Sequence, residues 1–145
     1  MADAMSWNEH LDSSPTEIRP VREGRFKNIT ADQFMLYPNG RAVDTAVRAI
    51  PSGRTLTLNE LRAELAAAHG AAITCPVTTA RSLLVAAEAA REAYEGGAAL
   101  AEIAPVWRVL DETSSILRRL SFDPSFLLEQ RAREASAAAG APGER

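Results

Sequence analysis

The stretch from Thr57 to Tyr94 carries its own punctuation, and that punctuation restricts the fold more than any other feature of the chain. Thr57-Leu58-Asn59-Glu60 has the Thr-x-x-Glu form of a capping box, in which hydroxyl and carboxylate satisfy orphan amides at a helix start. Leu58, Leu61 and Leu65 follow at helical spacing, and Gly70 stands where a helix closes in the left-handed conformation. Ala71 to Val77 read as a connector, because Pro76 biases Cys75 away from helix. Thr78 or Thr79 can cap the next helix, which runs to about Tyr94 before Gly96-Gly97 stops it. The expectation is helix, turn, helix. Arg81 falls in the first turn of the second helix, where a recognition helix presents its groove-contacting side chains.

The flanks extend this pattern. Val43, Ala46, Val47 and Ile50 place one apolar stripe on a short helix that Pro51-Ser52-Gly53 ends. Pro105-Val106-Trp107-Arg108-Val109-Leu110 reads as a short strand, Asp111 to Ser115 as a turn and Ile116-Leu117 as a return strand, so the pair forms a β wing. Asp123-Pro124 supplies a cap and a first-turn proline for a last helix towards Ala139. The predicted fold is mainly α, a winged helix-turn-helix with a short β wing. Residues 1–33 show no periodicity and read as a flexible N-terminal arm, residues 34–139 as the folded domain and residues 140–145 as a disordered tail. Arg19, Arg22, Arg25 and Lys27 give the arm a basic patch that fits a phosphate backbone or plain solvation.

Composition removes several function classes. Cys75 is the sole cysteine, and His10 and His69 are the sole histidines, too few for a disulfide, a thiolate cluster or a zinc site. No metal or other cofactor is expected. The net charge of -3 argues against a tight, sequence-blind grip on phosphates, so nucleic-acid binding has to come from a local surface. Lys27 is the only lysine; the remaining basic residues are arginine, which suits planar, bidentate contacts to phosphate or bases. No apolar run approaches bilayer length, and Met1 to Trp7 lack the basic-then-apolar order of a secretory signal. A cytoplasmic protein without a membrane partner is expected.

Four segments, taken in order, resemble a known family. They are Val47-Arg48-Ala49-Ile50-Pro51-Ser52-Gly53-Arg54-Thr55-Leu56-Thr57, Ala80-Arg81, Ala104-Pro105-Val106-Trp107-Arg108-Val109-Leu110, and Leu127-Leu128 with Glu134. Together they resemble the C-terminal DNA-binding domain of the alkylguanine-DNA alkyltransferases and their non-catalytic alkyltransferase-like relatives, over about Val43 to Glu134. Cys75-Pro76-Val77-Thr78-Thr79 together with Pro105-x-Trp107-Arg108-Val109 is similar to a bacterial branch of that family. The resemblance implies a winged helix that binds DNA through Thr78, Thr79, Arg81 and Ser82, with Arg81 entering the base stack. It also implies a ligand pocket around Leu58, Val106, Trp107 and Arg108.

The departures from the family decide the expected chemistry. In the family a cysteine thiolate attacks the alkyl group and an adjacent histidine relays its deprotonation. Val106 and Trp107 occupy those two positions, so no catalytic residue is expected. Leu58 stands where the family keeps a phosphate-rotating tyrosine, and Ser82, Leu83 and Leu84 where it keeps smaller groove-facing residues. Arg108 reads as a buried organiser of the pocket, holding backbone carbonyls, and Trp107 as core filling rather than a stacking platform for a base. Cys75 reads as a buried small hydrophobe rather than a second nucleophile. The expected function is non-catalytic binding of DNA, alkylated DNA in repair included. The alternative keeps the fold as a small-molecule or protein-binding module, catalysis included, without DNA.

Overall fold

In the computed structural model, which describes residues 5–21 and 33–139, the element order is α1 (Trp7–His10), β1 (Glu17–Pro20), β2 (Phe34–Tyr37), α2 (Gly40–Arg48), α3 (Leu58–His69), β3 (Ile73–Thr74), α4 (Pro76–Glu95) and α5 (Ser125–Ala139). Capping chemistry sets the boundaries. Asn39 accepts from the Ala42 amide at the start of α2. Thr57 and Glu60 complete both halves of the capping box of α3, and Gly70 closes that helix at φ 69°. Helix α4 begins at Pro76, two or three residues before the expected Thr78 or Thr79. Proline keeps Cys75 extended (φ -59°, ψ 121°), which makes Cys75 the N-cap, and proline itself fits the first helical position.

The described part of the chain is mainly α-helical with one small, open, three-stranded sheet. Strands β1 and β2 pair antiparallel, with Ile18 opposite Leu36, and β3 adds in parallel, with Thr74 beside Leu36. Arg62 donates to the Thr74 carbonyl at 2.8 and 3.0 Å while the Thr74 hydroxyl donates to the Arg62 carbonyl at 2.7 Å, tying the sheet to α3. The wing expected from residues 105–117 is absent. Val106–Arg108 and Ser115–Arg119 are 3-10 turns instead. Ile103 to Trp107 are buried in succession, which the alternating faces of a half-exposed strand do not allow.

The N-terminal arm also needs correction over residues 5–21, which form α1 and β1. The carboxylate of Glu92 on α4 receives the Trp7 and Asn8 amides, each at 3.0 Å, and the Asn8 side chain at 2.7 Å. An acid from another helix therefore satisfies the orphan amides of α1. Arg19 pairs with Glu17 and lies 4.7 Å from the centre of the Tyr37 ring. Arg22, Arg25 and Lys27, and the tail at 140–145, lie outside the described residues.

The core forms where α2, α3 and α4 meet the turns that precede α5. Val43, Val47, Leu61, Leu83, Ala86, Ala87, Val106 and Leu127 are fully buried there. At the far end of α4, Arg91 stacks 4.7 Å from the ring centre of Phe126, and Tyr94 lies 4.9 Å from the same ring, joining α4 to the start of α5. We expect Glu92→Ala to leave this core intact but to release α1. Amide exchange at Trp7 and Asn8 should rise roughly tenfold, equivalent to about 1.4 kcal/mol; unchanged exchange would show that α1 is held by other contacts.

Candidate functional site

The start of α3, the first turns of α4 and the loop before α5 enclose a cavity of about 330 Å³. Leu58, Ala80, Leu83, Val109, Leu110 and Ile116 give it an apolar lining, and Thr55, Thr57, Thr113, Ser114 and Ser115 add polar side chains. Its two acids are both occupied locally. Glu60 accepts from the Thr57 amide at 2.8 Å as part of the capping box. Asp111 accepts from the Thr113 hydroxyl at 2.6 Å and amide at 2.9 Å, and these bonds, the hydroxyl first, hold its carboxyl below the usual range. Arg131 of α5 reaches the same wall and donates to the carbonyls of Trp107 at 2.9 Å and Leu110 at 3.4 Å.

A second cleft, of about 270 Å³, shares Thr55 and Arg131 with the first and is completed by Gly53, Arg54, Trp107, Arg108, Glu134 and Ala135. Arg108 forks onto Glu134, Nε to Oε1 at 2.8 Å and Nη2 to Oε2 at 2.7 Å, and its Nη1 donates to the Ile50 carbonyl at 2.5 Å. The fork holds the Glu134 carboxyl below the ordinary glutamate range. Burial works against this and the nearby Trp107 indole adds to it. The indole Nε1 is itself fully buried and makes no hydrogen bond of sound geometry among the described residues.

The predicted DNA-contacting set divides. Arg81 is exposed and forms no hydrogen bond or ion pair among the described residues. Thr79 is fully buried, its hydroxyl donating to the Cys75 carbonyl at 2.7 Å, and Ser82 is buried with its hydroxyl on the Pro38 carbonyl at 2.8 Å. Neither can meet a ligand at the surface; helical spacing turns both towards the core. Thr78 is half-buried and directs its amide and hydroxyl to the Cys75 sulfur, at 3.5 and 3.3 Å.

The predicted pocket set divides too. Leu58 lines the larger cavity, whereas Trp107 and Arg108 line the smaller cleft. Val106 is fully buried and lines neither. Cys75 is also buried and lines neither. Sequence reasoning missed Arg131, Asp111 and Ser114. Arg131 had a signal: it stands four residues after buried Leu127 and three before Glu134, on one helical face.

The described arginines divide into paired and unpaired sets, and exposed Arg133 on α5, away from the lining of the larger cavity, is unpaired among the described residues too. Arg41, Arg48 and Arg54 are paired with Asp12, Asp44 and Glu64. Arg81, next to the lining residue Ala80, and Arg118 and Arg119, just beyond the lining residues Ser115 and Ile116, are exposed and unpaired among the described residues. Those residues hold no group of side chains suited to a metal ion, and no helix among them is long and apolar enough to cross a membrane. Comparison with protein-family models, curated proteins and solved structures returns no match to this chain.

Because the folded pKa of Glu134 lies below its unfolded value, its contribution to stability is fully present above the unfolded pKa, about 4.3 for a free glutamate, and is lost as pH falls through the folded value. At neutral pH we expect Glu134→Gln to cost roughly 2 kcal/mol, since a charged fork becomes one neutral bond. Urea denaturation from pH 7 down to pH 3 should show a smaller loss on acidification for this variant than for the wild type. Parallel curves would remove Glu134 from the account.

Proposed function

We propose that this chain is a non-catalytic DNA-binding module of the alkyltransferase-like type, whose larger cavity accepts one extrahelical, alkylated base. The observation that carries the reading is a 330 Å³ cavity at the start of α4 whose lining is followed in sequence by Arg81, Arg118 and Arg119, exposed and unpaired among the described residues. That volume falls in the range of small-ligand pockets, roughly 300–1,000 Å³. An apolar lining with hydroxyls suits a flat aromatic base that must be both buried and hydrogen-bonded at its edge. Unpaired guanidiniums suit the phosphates on either side of it.

Binding without alkyl transfer follows from the same lining. It holds no thiol, and the hydroxyls it does hold have no histidine beside them to take a proton. Val106, at the position of the family nucleophile, offers no ionisable atom.

The acids in the cavity wall and the net charge of -3 favour a second reading, in which the same cavity takes a neutral or cationic small molecule and DNA is not a ligand. Gel-shift titration at low salt, with duplexes carrying a bulky O6-alkylguanine or plain guanine, separates the two. The DNA reading expects the alkylated duplex to bind more tightly. It also expects Arg81→Ala to reduce the salt dependence by about one released counterion, as for a lost phosphate contact. Leu58→Trp should fill the cavity and abolish the preference for the alkylated duplex. If neither duplex binds, the DNA reading fails and the cavity reading stands alone.

A further inference from the structure

The smaller cleft has a chemistry that the base cavity does not account for. Its one acid, Glu134, has both oxygens engaged by the Arg108 fork, so the side chains facing the cleft offer donors rather than a free acceptor. Three donor groups lie at the cleft. The Trp107 indole is 3% exposed and its Nε1 makes no hydrogen bond of sound geometry among the described residues, the polar group it acts on being the Glu134 carboxylate, although a buried N–H of this kind almost always finds a well-formed bond. Trp107 lines a neighbouring pocket as well, but its indole acts on Glu134, which lines this cleft and not that pocket. Arg131 forms no salt bridge among the described residues and spends only Nη1 on backbone carbonyls, leaving Nε and Nη2. The Thr55 side chain is exposed and makes no hydrogen bond among the described residues.

Charge points the same way. Arg54, Arg108 and Arg131 line the cleft with Glu134; Arg54 pairs with Glu64 and Arg108 with Glu134, whereas Arg131 makes no salt bridge among the described residues and has Asp111, in the wall of the larger cavity, as its electrostatic neighbour. Gly53 sits in the cleft wall at φ 92°, a conformation that brings the chain past α5 and that L side chains rarely adopt.

We propose that this cleft binds a phosphate-sized oxyanion through the Trp107 indole N–H, the Arg131 guanidinium and the Thr55 hydroxyl. The site holds the anion itself, so it does not depend on the larger cavity receiving a base. A buried indole N–H and a guanidinium bond an anion more strongly than a neutral acceptor, because charge-assisted hydrogen bonds are the stronger class.

The test reads the indole N–H directly. The chain has two tryptophans, Trp7 and Trp107, and Trp7→Phe assigns the two indole resonances in a nitrogen–proton correlation spectrum. Full-length protein is titrated with inorganic phosphate, with a simple phosphomonoester and with a plain DNA duplex, each against sodium chloride of equal ionic strength. The proposal expects a saturable shift of the Trp107 indole resonance. A shift with the first two assigns the site to free phosphate or a monoester, and a shift with the duplex alone assigns it to the nucleic-acid backbone. Arg131→Gln should weaken the response by roughly tenfold and Thr55→Val by about fivefold, as expected for losing a charged and a neutral hydrogen bond. Thr55 is exposed, so its variant keeps the test meaningful should Arg131→Gln disturb the fold. An unmoved Trp107 resonance in all three titrations, a shift that sodium chloride reproduces, or variants that titrate like the wild type would overturn the proposal. Duplex binding in the gel shift with an unmoved resonance would overturn this site alone and leave the base cavity untouched.

Discussion

The guanidinium of Arg108 is the constraint on which the two candidate sites depend. Its fork onto Glu134 fixes α5, its third bond holds the Ile50 carbonyl at the end of α2, and its own carbonyl accepts the Leu56 amide at 2.9 Å just before α3. Three segments distant in sequence therefore converge on one residue. A largely buried ion pair is weak evidence of net stability, since desolvation opposes the Coulombic gain, but removing one partner leaves the other charged and unpaired. The fork is best understood as a positioning device. It sets α5 against the 106–110 turn, and Arg131 on α5 then lies between the cavity and the cleft as a shared wall.

Local signals were readable in the sequence and long-range ones were not. The capping box at Thr57 and Glu60, the left-handed Gly70 and the helix after Pro124 all involve residues within a few positions of each other, and the structure contains each of them. Residues 106–110 misled because a short apolar run bounded by proline reads equally as strand or buried turn; packing against α5 decides, and α5 lies some twenty residues away. The small sheet was illegible for the same reason. Its last strand is two residues long and adds to β2 from the far side of α2 and α3. The arm gained order from Glu92, a residue 84 and 85 positions distant from the amides it caps.

At the candidate site, sequence reasoning identified the neighbourhood better than the atoms. Leu58, Trp107 and Arg108 lie on cavity walls, but in two separate spaces, and Val106 lies on neither. Spacing along α4 could have separated Arg81 from Thr79 and Ser82. An N-terminal turn has only one outward face, and the latter two fall with Leu83 and Ala86 on the buried side. The Trp107 indole N–H is buried beside an acid already held by Arg108. In the proposed reading, a position that served bond-breaking in the resembling family serves ligand holding here.

The most direct measurement of the central claim reports on the base rather than on affinity. A duplex carrying 2-aminopurine immediately beside an O6-alkylguanine is titrated with the protein and followed by fluorescence. Extrusion of the alkylated base into the cavity unstacks its neighbour, so the account predicts a saturable rise in emission that Leu58→Trp suppresses. Full binding of the duplex with no rise in emission, or a rise unaffected by filling the cavity, would contradict it.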